Sequence, residues 1–262
     1  MEDKILFLNM EKHENIEFSI FGIFDGHGGY EVAEYCKENF IKFLKKEISN
    51  VTRNNLHVYN WESIFKKTFI EIDNSLLKEK YIYSFTGTTA LLLFINHNKP
   101  MNEFYIINLG DSTAFKCNET RYTVLNEHHN LRNSVEAIRL RNTNINIFGG
   151  RLDGKLDVTR SLGDFYFKKN ENRNLDSCDK ELSPVPECLR IKFAKEEVLS
   201  IMSDGVTDGI DFPSLHKIII QYSFEKNQLN FLPKRIFEVC LMENPDKQRS
   251  EDNMSIIIIK LK

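Results

Sequence analysis

Short runs of branched and aromatic residues recur along the chain, and several end abruptly on an acid. Residues 18–24 run into Asp25-Gly26, residues 104–109 into Gly110-Asp111, and residues 198–202 into Ser203-Asp204-Gly205. Near the other end the order reverses, with Asp252-Asn253 leading into Met254-Ser255 and four isoleucines. Runs of this length and composition read as buried strands, and the glycine beside the acid lets the chain turn as it leaves the sheet. Carboxylates therefore collect at strand ends. The same pattern predicts a strand pair at 5–9 and 16–24, followed by a helix over 30–48, where Val32, Cys36, Phe40 and Leu44 form one stripe. Asn60 is placed to cap a second helix that turns Ile64, Phe65, Phe69, Ile72 and Leu76 inward. Further strands are predicted at 88–96, 104–109, 113–117, 155–160, 188–193, 198–202 and 253–261, with helices at 134–141, 213–222 and 232–242. Strands joined by short turns favour antiparallel pairing. The expected architecture is α+β, a central sandwich of two antiparallel β-sheets flanked by α-helices on both faces, in one domain over 1–262. Residues 168–186, rich in Asn, Asp, Glu and Pro, read as a surface flap.

Composition narrows the setting. With 262 residues, 41% hydrophobic and 20 Phe, the chain can bury a large core. A net charge of −3 offers no electrostatic capture of nucleic acid or of an anionic membrane, and neither is an expected partner. The cysteines Cys36, Cys117, Cys178, Cys188 and Cys240 are scattered and form no C-x-x-C pair, which fits free thiols. No apolar leader opens the chain, and a cytoplasmic location, extending to the nucleus, is expected of a monomer.

Acids gathered on rigid strands repel one another and raise one another's pKa unless something neutralises them. A hard divalent cation does so with oxygen ligands, and the lack of a His or Cys cluster argues against zinc or iron. If the chain coils after residue 202, the four-residue spacing of Asp204 and Asp208 puts both carboxylates on one side.

The ordered series Phe24-Asp25-Gly26-His27-Gly28-Gly29, Thr86-Gly87-Thr88-Thr89-Ala90, Asn108-Leu109-Gly110-Asp111-Ser112, Leu156-Asp157-Val158-Thr159-Arg160-Ser161-Leu162-Gly163-Asp164, Ser203-Asp204-Gly205 and Asp252-Asn253-Met254-Ser255 resembles the motif series of the metal-dependent PP2C-type (PPM family) serine/threonine phosphatases. Each motif alone is weak; in this order across the whole chain they are specific. The resemblance implies hydrolysis of phosphoserine and phosphothreonine in proteins by water activated between two Mg²⁺ or Mn²⁺ ions. By the same resemblance Asp25 bridges both ions, Asp204 and Asp252 complete one site, and Glu2 with the Gly26 carbonyl serves the other. His27 is the matching general acid for the leaving oxygen. Asp208 would reach a third, weaker ion, joined by Glu127 in place of the family's Asp.

Other acids and histidines have plainer readings. Asp111 is expected to be a structural strand-end acid, and His128 and His129 to be exposed loop histidines. Two departures from the family pattern stand out. The chain starts just before Glu2, so the phosphate-binding Arg and its strand are missing and the first strand is expected to be truncated; Asp157 stands where a small apolar residue is usual. The alternative reading is therefore a weak or inactive member acting as a binding module. A metal-dependent nuclease is disfavoured, because no basic patch is present to hold a polyanion.

Overall fold

In the computed structural model, residues 1–53, 59–79, 83–98, 103–141, 143, 145–168, 181–242 and 252–260 are described. The first hairpin pairs β1 (Lys4–His13) with β2 (Ile16–Phe24) in antiparallel register, Lys4 opposite Phe24 and His13 opposite Ile16. β2 runs through Asp25 into the two-residue β3 (Gly26–His27). Helix α1 (Glu31–Arg53) buries the predicted stripe, and α2 (Trp61–Leu76) starts at Asn60, whose side chain accepts from the Ser63 N–H at 3.1 Å. There follow β4 (Gly87–Thr88), β5 (Ala90–Asn96), β6 (Glu103–Leu109), β7 (Thr113–Cys117), β8 (Tyr122–Val124) and α3 (Ser134–Arg141). A small hairpin, β9 (Ile147–Phe148) and β10 (Arg151–Leu152), precedes β11 (Leu162–Gly163) and β12 (Glu187–Ile191). The chain closes with β13 (Val198–Met202), α4 (Asp204–Gly209), α5 (Phe212–Ile219), α6 (Leu232–Cys240) and β14 (Ile256–Lys260).

Side-chain alternation explains the layering. In β2, Phe18 and Ile20 face α1 and α2, while Phe21 and Ile23 face the other sheet; in β5, Leu92 and Phe94 face the helices and Leu91, Leu93 and Ile95 face inward. The first sheet has the order β1-β2-β5-β6-β12 and the second β14-β13-β7-β8, every neighbour antiparallel. Leu199 and Ile201 of β13 meet the first sheet, and its Val198 and Met202 pack under α5 and α6. Because the central strands are covered on both faces, they read as continuous hydrophobic runs. Each large side chain buried there, such as Phe94 or Phe115, contributes roughly 1.5–3 kcal/mol. The α+β sandwich flanked by helices on both faces is thus the observed fold.

Three local expectations need correction. Residues 155–160 form no strand: Leu156, Val158 and Arg160 make isolated bridges to Leu152, Asn130 and Ser183, so their period-two pattern reflects successive partners rather than one ladder. The strand at 88–96 breaks at Thr89, whose N–H turns to the Asp25 carbonyl at 2.9 Å. The ends of the 168–186 segment are not surface: Lys168 is buried against Asp73 at 2.7 Å, and Leu182 and Val185 are core residues. Residues 169–180 of that segment, like Cys178, lie outside the described residues. Among the described residues no helix is long and apolar enough to cross a membrane.

Candidate active site

Strand ends build the site. Asp25 sits where β2 gives way to β3, and its carbonyl is held by the Thr89 N–H and the Thr88 hydroxyl at 3.0 Å. Asp204 is the first residue of α4, directly after β13, so the chain does coil there and Asp208 lies one turn further on the same side. Ser203 ties this turn to the start of β14: its N–H donates to the Ser255 carbonyl and its hydroxyl accepts from the Ser255 N–H, both at 3.0 Å. The Glu2 N–H donates to Asn253 Oδ1 at 2.8 Å, which brings the first residues beside Asp252.

The result is an open cavity of ≈ 570 Å³ that collects Glu2, Asp25, Gly26, His27, Asp204, Asp208 and Asp252, every predicted site residue except Glu127. Asp111, Asp157 and Asp164 open onto it as well. Burial, and then the charges of Asp204, Asp3 and Asp111, hold the Asp25 carboxyl far above the usual carboxylate range. Burial followed by Asp252 raises Asp204, and burial followed by Asp204 pushes Asp111 up to about 7. Both carboxylate oxygens of the buried Asp3, Oδ1 of Asp204 and Oδ1 of Asp164 have no hydrogen-bond partner.

His27 is oriented by a residue that sequence reasoning passed over. Its Nε2 lies 2.7 Å from Asp164 Oδ2, and the same oxygen accepts from the Ser161 hydroxyl at 2.6 Å. Burial disfavours the imidazolium, but the Asp164 carboxylate more than offsets it, and the His27 pKa is raised. Asp164 takes a positive φ of 52°, in the left-handed region, which turns its side chain back beneath the ring. Gly87 leaves room for the pair: a Cβ there would overlap Asp164 Oδ2 and stand 2.6 Å from His27 Nε2. The available signal was Gly163-Asp164, another acid after glycine.

Other expectations fare differently. Glu127 is exposed and lines a separate cavity with Arg160 and Glu187, so it does not join Asp204 and Asp208. The nearer acids are Asp111 and Asp157. His129 is fully buried, not exposed: its Nδ1 accepts from the Gly110 N–H at 3.0 Å, and burial lowers its pKa. His128 is half-buried, 2.9 Å from the Thr113 hydroxyl. The Asn126 side chain accepts from the Ala114 N–H and the Glu127 carbonyl accepts from the Asn108 amide, which holds this stretch against β6 and β7 and draws both rings in.

Among the described residues no three His, Cys, Asp or Glu side chains already stand at ligating distances around one point. The chemistry of the donor set nevertheless fits a hard divalent cation: it is all oxygen, mutually repelling, and includes unpartnered buried atoms.

The sandwich and the acidic cavity at its strand ends define a phosphatase fold. It superposes on a phosphatase from a pathogenic strain of Toxoplasma gondii with a TM-score of 0.77, at 19% identity over 99% of this chain and 88% of that one. It also superposes on a C. elegans sex determining protein with a TM-score of 0.71, at 22% identity over 98% of this chain and 60% of that one. The chain belongs to the protein phosphatase 2C family, whose model matches residues 1–252. It is 30% identical to the probable protein phosphatase 2C 4 of Paramecium tetraurelia, over 94% of this chain and 83% of the relative. It is 27% identical to protein phosphatase 2C homolog 2 of Saccharomyces cerevisiae over 96% of this chain, of which it spans 53%, and 26% identical to human protein phosphatase 1A over 92%, of which it spans 62%.

Proposed function

We propose that this chain is an active Mg²⁺- or Mn²⁺-dependent protein serine/threonine phosphatase acting as a monomer on phosphoprotein substrates. The observation that carries this reading is the cavity in which Asp25, Asp204 and Asp252 meet Glu2 and the Gly26 backbone, with a charge repulsion that a bound cation relieves without protonating the carboxylates. Asp25, between β2 and β3, would serve both ions; Asp204 and Asp252 would serve one, and Glu2 with the Gly26 carbonyl the other. Asp208 would serve a third, weaker ion. Bound there, such ions would lower the pKa of a water and neutralise charge on the phosphoryl oxygens.

The protein's own contribution is positioning and proton supply. The carboxylates, held at strand ends, would fix where the ions sit. His27, held by Asp164 through Nε2, has an Nδ1 with no protein partner among the described residues, and that nitrogen delivers a proton to the departing serine or threonine oxygen. Attack by water leaves no phosphorylated protein residue. Hydrolysis of a phosphothreonine peptide with Mn²⁺ and with EDTA is the direct test: turnover that needs the metal and vanishes in Asp204→Asn supports the reading, and turnover that persists in EDTA defeats it.

A further inference from the structure

The ionisable residues lining the cavity are acids, apart from His27 and two cations, Arg151 and Lys155, which come from a single turn. That turn is built to stay put. Asp153 and Gly154 take positive φ values of 46° and 70°, and the Leu152 N–H closes on the Leu156 carbonyl at 2.8 Å. The Arg151 guanidinium donates to the Lys155 carbonyl at 3.0 Å. Leu152 and Leu156 anchor the turn in an apolar knot with Leu140, Phe167 and Leu182.

The Lys155 ammonium lies 4.9 Å from the centres of both the Phe85 and Tyr166 rings, which stack on each other at 4.5 Å. Such a cation is attracted by the ring faces yet keeps its charge for an anion. No carboxylate ion-pairs with Lys155 among the described residues, and Arg151 reaches only Asp157, at 3.8 Å. Phe85 and Tyr166 are 48% and 37% exposed, which places this aromatic and cationic wall at the rim of the cavity rather than among the buried acids. A rim cation meets what flanks the scissile phosphate, not the phosphate itself.

We propose that Arg151 and Lys155 form a subsite for a second anionic side chain, so that the enzyme prefers phosphorylated segments with a carboxylate or another phosphate beside the target residue. This specificity rests on the phosphatase reading above. The departure at Asp157 belongs to the same device: it holds Arg151 loosely enough for a substrate anion to take its place.

The test compares kcat/KM, with Mn²⁺ at low salt, for three phosphothreonine peptides: alanine flanks, glutamate flanks, and a second phosphothreonine. Two partly exposed ion pairs should favour an anionic peptide by about three- to tenfold, chiefly through KM, and the preference should fade as ionic strength rises. Lys155→Gln should lower the ratio by about half on a logarithmic scale, Lys155→Gln with Arg151→Gln should bring it close to one, and Lys155→Arg should keep it. A preference confined to the doubly phosphorylated peptide makes phosphate the recognised group; equal preference for both makes it any anion. Turnover of all three peptides at one rate, or a preference that Lys155→Gln leaves intact, overturns the subsite and leaves the phosphatase standing. No turnover of any peptide removes the phosphatase reading and the subsite with it.

Discussion

At the scale of single residues, the His27 and Asp164 pair is the most demanding arrangement, because a buried carboxylate, a ring and a bare Gly87 backbone occupy one space. Asp164→Asn keeps the shape but removes the charge. Its kcat should fall by about tenfold to a hundredfold with KM little changed. In the metal-free protein, the His27 ring, followed by NMR, should titrate at lower pH than in the wild type, because the carboxylate that raises it is gone. Gly87→Ala should be worse than Asp164→Asn, since the added methyl displaces both partners at once. An alanine variant with wild-type kcat would show that the pair is not needed. The sequence made Asp25, His27 and Asp204 legible, because each follows a hydrophobic run or sits two residues from one that does. Asp164 was hidden, because the short β11 gives no run to announce it and its role depends on a left-handed backbone.

At the scale of elements, buried ion pairs fasten the irregular pieces to the sandwich. Glu136 of α3 accepts from Arg139, from Arg160 and from the Thr159 hydroxyl, so α3 grips the loop that leads to β11. Burial would raise this carboxyl, but the two guanidiniums prevail and bring it to about 2. Its folded pKa is therefore below the unfolded value of 4.5, so its stabilisation is present above that pH and is lost as pH falls toward about 2. Glu136→Gln should remove that acid-side dependence from a urea-denaturation series. Asp73 of α2 similarly binds the Lys168 ammonium and the Gly163 N–H, at 2.7 and 3.0 Å. Lys168→Met should cost about 3–5 kcal/mol by stranding a buried carboxylate, and the double variant with Asp73→Leu should recover much of it. These contacts explain why 155–160 and 168–186 were misread. Arg160 and Lys168 look solvent-bound in the primary structure, yet they meet Glu136 and Asp73, far away in the chain. Helices and long strands were legible because their periodicity is local.

At the scale of the whole molecule, the acids set how stability responds to pH and metal. In the metal-free protein Asp25, Asp111 and Asp204 all have pKa values raised above the ordinary carboxylate range, Asp111 to about 7. A raised value means that their contribution is fully present below that range and is lost as pH rises through the folded values. Metal-free protein should therefore be less stable at pH 7.5 than at pH 5.5. Saturating Mn²⁺ should cancel that loss and raise the melting temperature, with about 2.7 kcal/mol gained at a hundredfold excess over Kd. Asp204→Asn should melt higher than wild type without metal and gain little when metal is added; a full Mn²⁺ shift in that variant would mean that the ion binds elsewhere. The Glu2 to Asn253 hydrogen bond, which spans 251 positions, has one more consequence. Glu2 gains Asp252 as a neighbour only once segments this far apart have docked, so a partly folded chain carries an incomplete set of acids. Metal-dependent stabilisation would thus appear only after that long-range pairing has formed.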